Sequence, residues 1–207
     1  MIRVLIVEDQ RMTRETIEGY FHRQDGYYVC GLLDRASQVE NFCDCVPVNL
    51  IIMDVCTEGD MNGFEAAKIL KQKHPSIKII IVTSMIDSGF LEHARMAEVD
   101  SMWYKDESGS DLMWVVKRTM DGESVFPDHT PEVRIGNAKS VEFTKGEIRV
   151  LRLLVEGLTY KEIAERLDIA PDTVKEHVSN MLSKTGYTSK LRLATEVIAK
   201  KWIVPGL

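Results

Sequence analysis

Long apolar runs are missing from this 207-residue sequence. No stretch approaches the roughly 18 consecutive apolar residues that a membrane-spanning helix requires, so no membrane partner is expected. The first residues, Met1 to Asp9, meet carboxylates at Glu8 and Asp9 too early for a signal peptide and read instead as a first strand. Cysteine is scarce: Cys30, Cys43, Cys45 and Cys56 all fall in the first 56 residues, without CxxC spacing. That argues against structural zinc and a disulfide framework, and for buried thiols in a reducing cytoplasm. An overall basic excess is also absent, the net charge being -6. The charge is uneven, however. Residues 1–139 hold 15 basic and 23 acidic residues, a charge of -8, whereas residues 140–207 hold 11 and 9, a charge of +2. Polyanion binding is therefore expected only of the second part.

What is present fits one large or two modest packed domains, with 44% hydrophobic and 28% charged residues. Ile2–Val7, Tyr28–Leu33, Leu50–Val55, Ile77–Thr83 and Ser101–Tyr104 read as strands. The third and fourth are nearly continuous Ile, Val and Leu, as in strands covered on both faces. Helical patterns lie between and after them, near Arg11–Arg23, Ser37–Asp44, Gly63–Lys73, Ser88–Glu98 and Ser110–Met120. A five-fold β-α repeat implies a doubly wound five-stranded parallel sheet, because each parallel crossover needs about a dozen residues. These residues form an expected first domain, 1–122. The stretch 123–140 loses periodicity and carries Pro127, Pro131 and Gly136, which reads as a linker.

From Val141 to Leu207 the pattern is helical, an all-α domain following the α/β one. Thr144 with Glu147 and Thr159 with Glu162 fit capping boxes, each flanked by a hydrophobic staple. Pro171 suits the first position of a third helix, and a fourth runs near Lys190–Lys200. Four short helices with tight turns make a small bundle.

In an open parallel sheet, functional groups collect at the carboxyl ends of the strands. Here those ends carry Glu8 and Asp9, then Asp54, then Thr83, then Lys105. Three carboxylates on one edge repel one another, and an all-oxygen set calls for Mg²⁺ rather than zinc. Phosphoryl transfer onto a carboxylate needs an aspartate nucleophile, a metal site, a cation for the phosphoryl oxygens and a hydroxyl donor. Asp54, Glu8 with Asp9, Lys105 and Thr83 supply them. A lone acid at a strand end is usually a helix cap or a solvated group; five such residues at five expected points are not.

This set, in this order, resembles the receiver domain of two-component response regulators, over about residues 1–122. The resemblance implies a flavodoxin-like fold. It implies that Asp54 accepts phosphate from a histidine kinase, and that the Cys56 backbone carbonyl joins Glu8, Asp9 and Asp54 at Mg²⁺. It further implies that Thr83 and Lys105 respond to the new phosphate. The sequence departs from the family in two places. The loop from Asp54 to Gly63 is one residue longer than usual and lacks the Met-Pro pair. Met102 stands where an aromatic switch residue is common.

In the second half, Tyr160–Leu167, a turn at Asp168-Ile169-Ala170 and Pro171–Lys184 have the layout of a helix-turn-helix. Val174, Val178, Met181 and Leu182 form the inward stripe of the second helix. Asp172, Glu176, Ser179, Asn180 and Ser183 point away from it, with Thr173 and Lys175 on the flanks. A solvated face on a protein-interaction domain would look similar. The longer run decides. Phe143 to Leu151, Glu156 to Ala164 and Thr173 to Val178 resemble the LuxR-type domain that follows a receiver in NarL/FixJ-class regulators. By position, the resemblance puts Lys175, Glu176 and Ser179 toward bases or their backbone, and Thr159, Lys161, Thr173 and Asn180 on phosphates. Leu193, Ala194, Val197 and Ile198 of the last helix match a dimerisation surface, or else pack within one copy.

The expectation is therefore a cytoplasmic transcription regulator, not an enzyme. It binds double-stranded promoter DNA, is phosphorylated on Asp54 and forms a homodimer when activated. An atypical receiver acting without phosphorylation is the alternative. A phosphohydrolase would need an acid/base carboxylate beside the nucleophile, and Cys56 stands two residues on.

Overall fold

The computed structural model describes residues 1–87, 89–105 and 109–204. The chain forms two compact units. One comprises Met1–Ser84 with Gly89–Asp128, the other Met85–Ser88 with His129–Leu207.

In the first unit, β1 (Ile2–Val7), β2 (Tyr27–Leu33), β3 (Leu50–Asp54), β4 (Lys78–Thr83) and β5 (Ser101–Tyr104) form one sheet. Its order is β2-β1-β3-β4-β5, and every pairing is parallel. All five residues of β3 are buried, which matches its unbroken apolar sequence and a position between two helical layers. The crossovers are α1 (Arg11–His22), α2 (Val39–Cys45), α3 (Gly63–Lys73) and α4 (Phe90–Met96), with α5 (Gly109–Met120) after the last strand. One face of the sheet, through Val4, Ile6, Ile52, Ile80 and Trp103, packs on Ile17 and Phe21 of α1 and Leu112 and Val116 of α5. Asn62 caps α3 in a capping box with Glu65, which fixes where the loop after β3 ends. The helix expected from Ser88 to Glu98 is shorter, ending where Glu98 turns to a φ of 55°. Ser88 lies outside the described residues, as do 205–207.

The outer edge of β5 is closed by the chain beyond α5. The Met102 N–H donates to the Val125 carbonyl at 2.9 Å, and the Val125 N–H donates to Ser101 Oγ at 3.0 Å. Part of the expected linker is thus held against β5 at Val125.

The second unit holds the short strands β6 (Arg134–Ile135) and β7 (Ala138–Lys139), then α6 (Lys145–Val155), α7 (Tyr160–Leu167), α8 (Pro171–Thr185) and α9 (Lys190–Ala199). The antiparallel hairpin lies in the stretch that the sequence reads as linker. Its turn uses Gly136 at a φ of 59°, where a Cβ would meet the Thr185 carbonyl oxygen at 2.2 Å. Val133, Ile135 and Ala138 join a core with Phe143, Leu151 and Trp202. Both expected capping boxes form, at Thr144 with Glu147 and at Thr159 with Glu162. The turn between α7 and α8 is made by Asp168 at a φ of 54°. The segment from Met85 also belongs to this unit. Ile86 packs on the core, its N–H donates to the Lys201 carbonyl at 2.7 Å, and buried Asp87 accepts from both terminal nitrogens of Arg152.

Candidate phosphoacceptor site and nucleic-acid interface

The order β2-β1-β3 places the ends of β1 and β3 side by side at the point where the sheet's winding reverses. Glu8 and Asp9 follow β1, and Asp54 ends β3. One carboxylate oxygen from each lies within 4.8 Å of the others. Glu8 and Asp54 are buried, and Asp9 is half-buried. Lys105, after β5, reaches the same point. Its Nζ lies 2.5 Å from Glu8 Oε2 and 2.9 Å from Asp54 Oδ2. The Lys105 N–H donates to the Thr83 carbonyl at 2.8 Å, so the ends of β4 and β5 are tied together behind the cluster. Thr83 is fully buried.

The Asp54 carboxyl is raised to about 6, because burial pushes it up by more than Lys105 pulls it down, and Glu8 adds to the rise. Burial works to lower Lys105, but the two carboxylates outweigh it and hold the ammonium above its ordinary value. One lysine thus neutralises one of three clustered carboxyl groups. Asp9 Oδ1 is buried without a hydrogen-bond partner among the described residues, and an all-oxygen set with such an acceptor suits a hard divalent cation.

In the loop beyond Asp54, Gly59 has a φ of 107°, and the chain comes back against the end of β3 at Gly63. The Gly63 N–H donates to the Val55 carbonyl at 2.9 Å. A Cβ at Gly63 would sit 2.2 Å from the Asp54 carbonyl oxygen, so only glycine lets α3 begin against the acceptor's own backbone. Sequence reading singled out the loop length but not this contact. It also missed Arg14, whose guanidinium donates to the Glu8 carbonyl at 2.7 Å and holds the loop after β1.

In the second unit, Lys161, Lys175, Glu176, Ser179 and Asn180 are exposed, and Thr173 is half-buried. Lys175, Glu176, Ser179 and Asn180 project from α8, while Val174, Val178 and Met181 on its other face are buried. Thr159 is engaged otherwise. Its hydroxyl and its backbone N–H both donate to Glu162 Oε2 at 2.7 Å, so its donors serve the cap of α7. Leu193 and Val197 are fully buried in the core, whereas Leu191 and Ile198 of the same helix are exposed. The last helix therefore divides its apolar residues between core and surface. His177 is half-buried over the start of α6, where a Cβ on Gly146 would come within 3.0 Å of its ring.

The chain thus joins a buried acidic cluster on a 2-1-3-4-5 sheet to a helical unit in which α8 exposes a polar face. Comparison with known proteins makes the assignment specific. Residues 4–117 match the response regulator receiver domain, and residues 141–197 match the bacterial regulatory proteins of the luxR family. The chain belongs to the response regulators that join these two domains. It is 37% identical over 190 residues to the response regulator protein VraR of Staphylococcus aureus (strain Mu3), covering 88% of this chain and 90% of that protein. VraR of Staphylococcus epidermidis (strain RP62A) is 35% identical over 188 residues with the same coverage. Among solved structures, RcsB from Salmonella enterica serovar Typhimurium, bound to promoter rprA with a phosphomimetic, superposes with a TM-score of 0.63. It has 21% identity over 95% of this chain and 98% of that one. A structure of two RcsB dimers bound to two parallel DNAs gives a TM-score of 0.65 at 20% identity, covering 96% and 98%. These likenesses support a flavodoxin-like receiver followed by a helical domain. No helix among the described residues is long and apolar enough to cross a membrane.

Proposed function

We infer that the protein is a cytoplasmic, DNA-binding transcription regulator switched by transfer of a phosphoryl group from a histidine kinase to Asp54. The observation that carries this reading is the convergence of Glu8, Asp9, Asp54 and Lys105 on one buried point of the sheet edge. In the transfer, a carboxylate oxygen of Asp54 attacks phosphorus as the bond to the donor breaks, leaving an acyl phosphate on the protein. Glu8, Asp9, Asp54 and the Cys56 carbonyl would hold Mg²⁺, whose chemistry is to neutralise charge on the phosphoryl oxygens. Lys105 already touches Asp54, so a short movement of Nζ away from Glu8 takes it to a phosphoryl oxygen. Thr83 supplies a hydroxyl one strand away.

On the DNA side, α8 enters the major groove with Lys175, Glu176 and Ser179 toward bases. Lys161, Thr173 and Asn180 lie at phosphates, and the capping box of Thr159 sets the angle of α7. RcsB binds DNA as dimers, and a homodimer of this chain would double the contacts of a domain whose charge is only +2. The protein has no turnover reaction in this reading.

A second reading is favoured by the Lys105 pairing and the lengthened loop. A receiver whose acceptor is already ion-paired could serve as a fixed platform and act without phosphate. Intact-mass measurement after incubation with Mg²⁺ and acetyl phosphate separates the two. A gain of one phosphoryl group in wild type and none in Asp54→Asn is expected; no gain in wild type selects the second reading.

A further inference from the structure

The loop that follows Asp54 contains no proline, so no residue from Val55 to Asn62 has its φ fixed by its own ring. Its conformation beside the acceptor is set by contacts with other parts of the fold. At its base, the Gly63 N–H donates to the carbonyl of buried Val55 at 2.9 Å. Two residues beyond Val55, Thr57 Oγ1 accepts from the Ala36 N–H at 2.9 Å, across 21 positions of sequence. Ala36 is buried and opens a 3₁₀ turn, Ala36–Gln38, between β2 and α2, and Arg35 before it offers no side-chain cap. The Thr57 hydroxyl thus supplies the acceptor that this buried N–H lacks locally. Arg35 and Glu58 bridge the same gap at 3.3 Å, but both are exposed, and such a pair contributes little.

Cys56 lies between the two held residues, Val55 and Thr57. Its N–H donates to the Asp54 carboxylate. Its carbonyl belongs to the planar peptide unit shared with Thr57, so the direction of that oxygen follows from how Cys56 and Thr57 are held. Past Glu58 the chain gives no such support. A Cβ at Gly59 would meet nothing within 4 Å.

We propose that Thr57 is a positioning residue for the divalent cation, its bond to Ala36 aiming the Cys56 carbonyl at the point where Glu8, Asp9 and Asp54 converge. The proposal rests on the reading of that point as a Mg²⁺ site. Thr57 acts through Cys56 and is not itself a ligand. The connection between β2 and α2 thereby takes part in the metal site through one backbone N–H. Removing a group that orients a metal ligand typically costs about 10–100-fold in affinity.

The test is calorimetric titration of the full chain with MgCl₂ at pH 7, well below the Tm of every variant. Thr57→Val keeps the shape of the side chain and removes the acceptor, and is expected to weaken Mg²⁺ binding at least fivefold. Thr57→Ser keeps the hydroxyl and is expected to bind within twofold of wild type. Thr57→Ala, which removes the acceptor without adding apolar bulk, is expected to match Thr57→Val and replaces it should that variant fail to fold. Wild-type affinity in the variants that lack the hydroxyl overturns the proposal, even where their Tm is lower, because the bond then serves stability alone. Equal weakening in Thr57→Ser and Thr57→Val also overturns it. A wild-type chain that binds no Mg²⁺ removes the metal reading itself, and this proposal with it.

Discussion

Replacing Asp54 by asparagine should make the receiver more stable, not less. Burial beside Glu8 holds the Asp54 carboxyl at about 6, against an ordinary 3.8. A group whose folded-state pKa is raised contributes stability that is fully present below its unfolded pKa and is lost as pH rises through the folded value. For Asp54 that window runs from about pH 4 to about pH 6, and at pH 7 its ionisation opposes folding throughout. A difference of about two units corresponds to about 3 kcal/mol at 1.36 kcal/mol per unit. Asparagine keeps the shape and removes the charge, so in metal-free buffer at pH 7 the receiver should gain about 2–3 kcal/mol. For a domain of this size that is about 10 °C in Tm. The assay is thermal unfolding followed by circular dichroism across pH 4 to 8, in EDTA and in Mg²⁺. The gain should vanish toward pH 4. Mg²⁺ should raise the wild-type Tm more than that of Asp54→Asn, because the variant has lost a ligand. An Asp54→Asn protein less stable than wild type at pH 7 without metal would refute the electrostatic description of the site.

Lys105→Met should act in the opposite sense. With Glu8 and Asp54 oxygens within 4.8 Å, removing the ammonium leaves a repulsion of about 3–4 kcal/mol at an effective dielectric of about 20. The variant should melt lower at pH 8 without metal, by the same calorimetric or spectroscopic scan. Gly63→Ala should cost about 1–3 kcal/mol by forcing the loop off the Asp54 carbonyl, and should slow acetyl phosphate labelling measured by intact mass. Asp100 and Glu147 titrate in the other direction. Burial raises each, but Lys71 and Lys78 around Asp100, and Lys184 with the Thr144 N–H around Glu147, more than reverse it. Depressed carboxylates stabilise above their unfolded pKa and lose that contribution as pH falls through the folded one. Asp100→Asn should therefore lower the receiver's Tm at pH 7 and flatten its decline below about pH 4. Gly146→Ala should press on His177 and tilt α8, weakening DNA binding in fluorescence anisotropy with little change in Tm.

The strands, their order of use and the polar residue at each carboxyl end were legible because a doubly wound sheet repeats one local pattern. The capping boxes at Thr144 and Thr159 were legible for the same reason, since all their partners lie within three residues. What was not legible depends on distance across the fold. Lys105 on Glu8 joins residues 97 positions apart, and nothing local marks lysine as the counter-ion of two carboxylates. Gly63 reads as a helix start, and its contact with the Asp54 carbonyl exists only once β3 and α3 are assembled. The β6–β7 hairpin has two residues per strand, too few for any alternation to register, so its stretch read as linker. Thr159 fitted both a cap and a phosphate contact; only the geometry shows its donors turned to Glu162.

In the proposed switch, phosphate on Asp54 governs DNA binding by the second half. It is tested most directly by measuring promoter DNA affinity of wild type and Asp54→Asn, each with and without Mg²⁺ and acetyl phosphate. Tighter binding by phosphodonor-treated wild type, with no response in Asp54→Asn, is the expected result. Equal affinities in all four samples, or an equal response in the variant, would contradict the account.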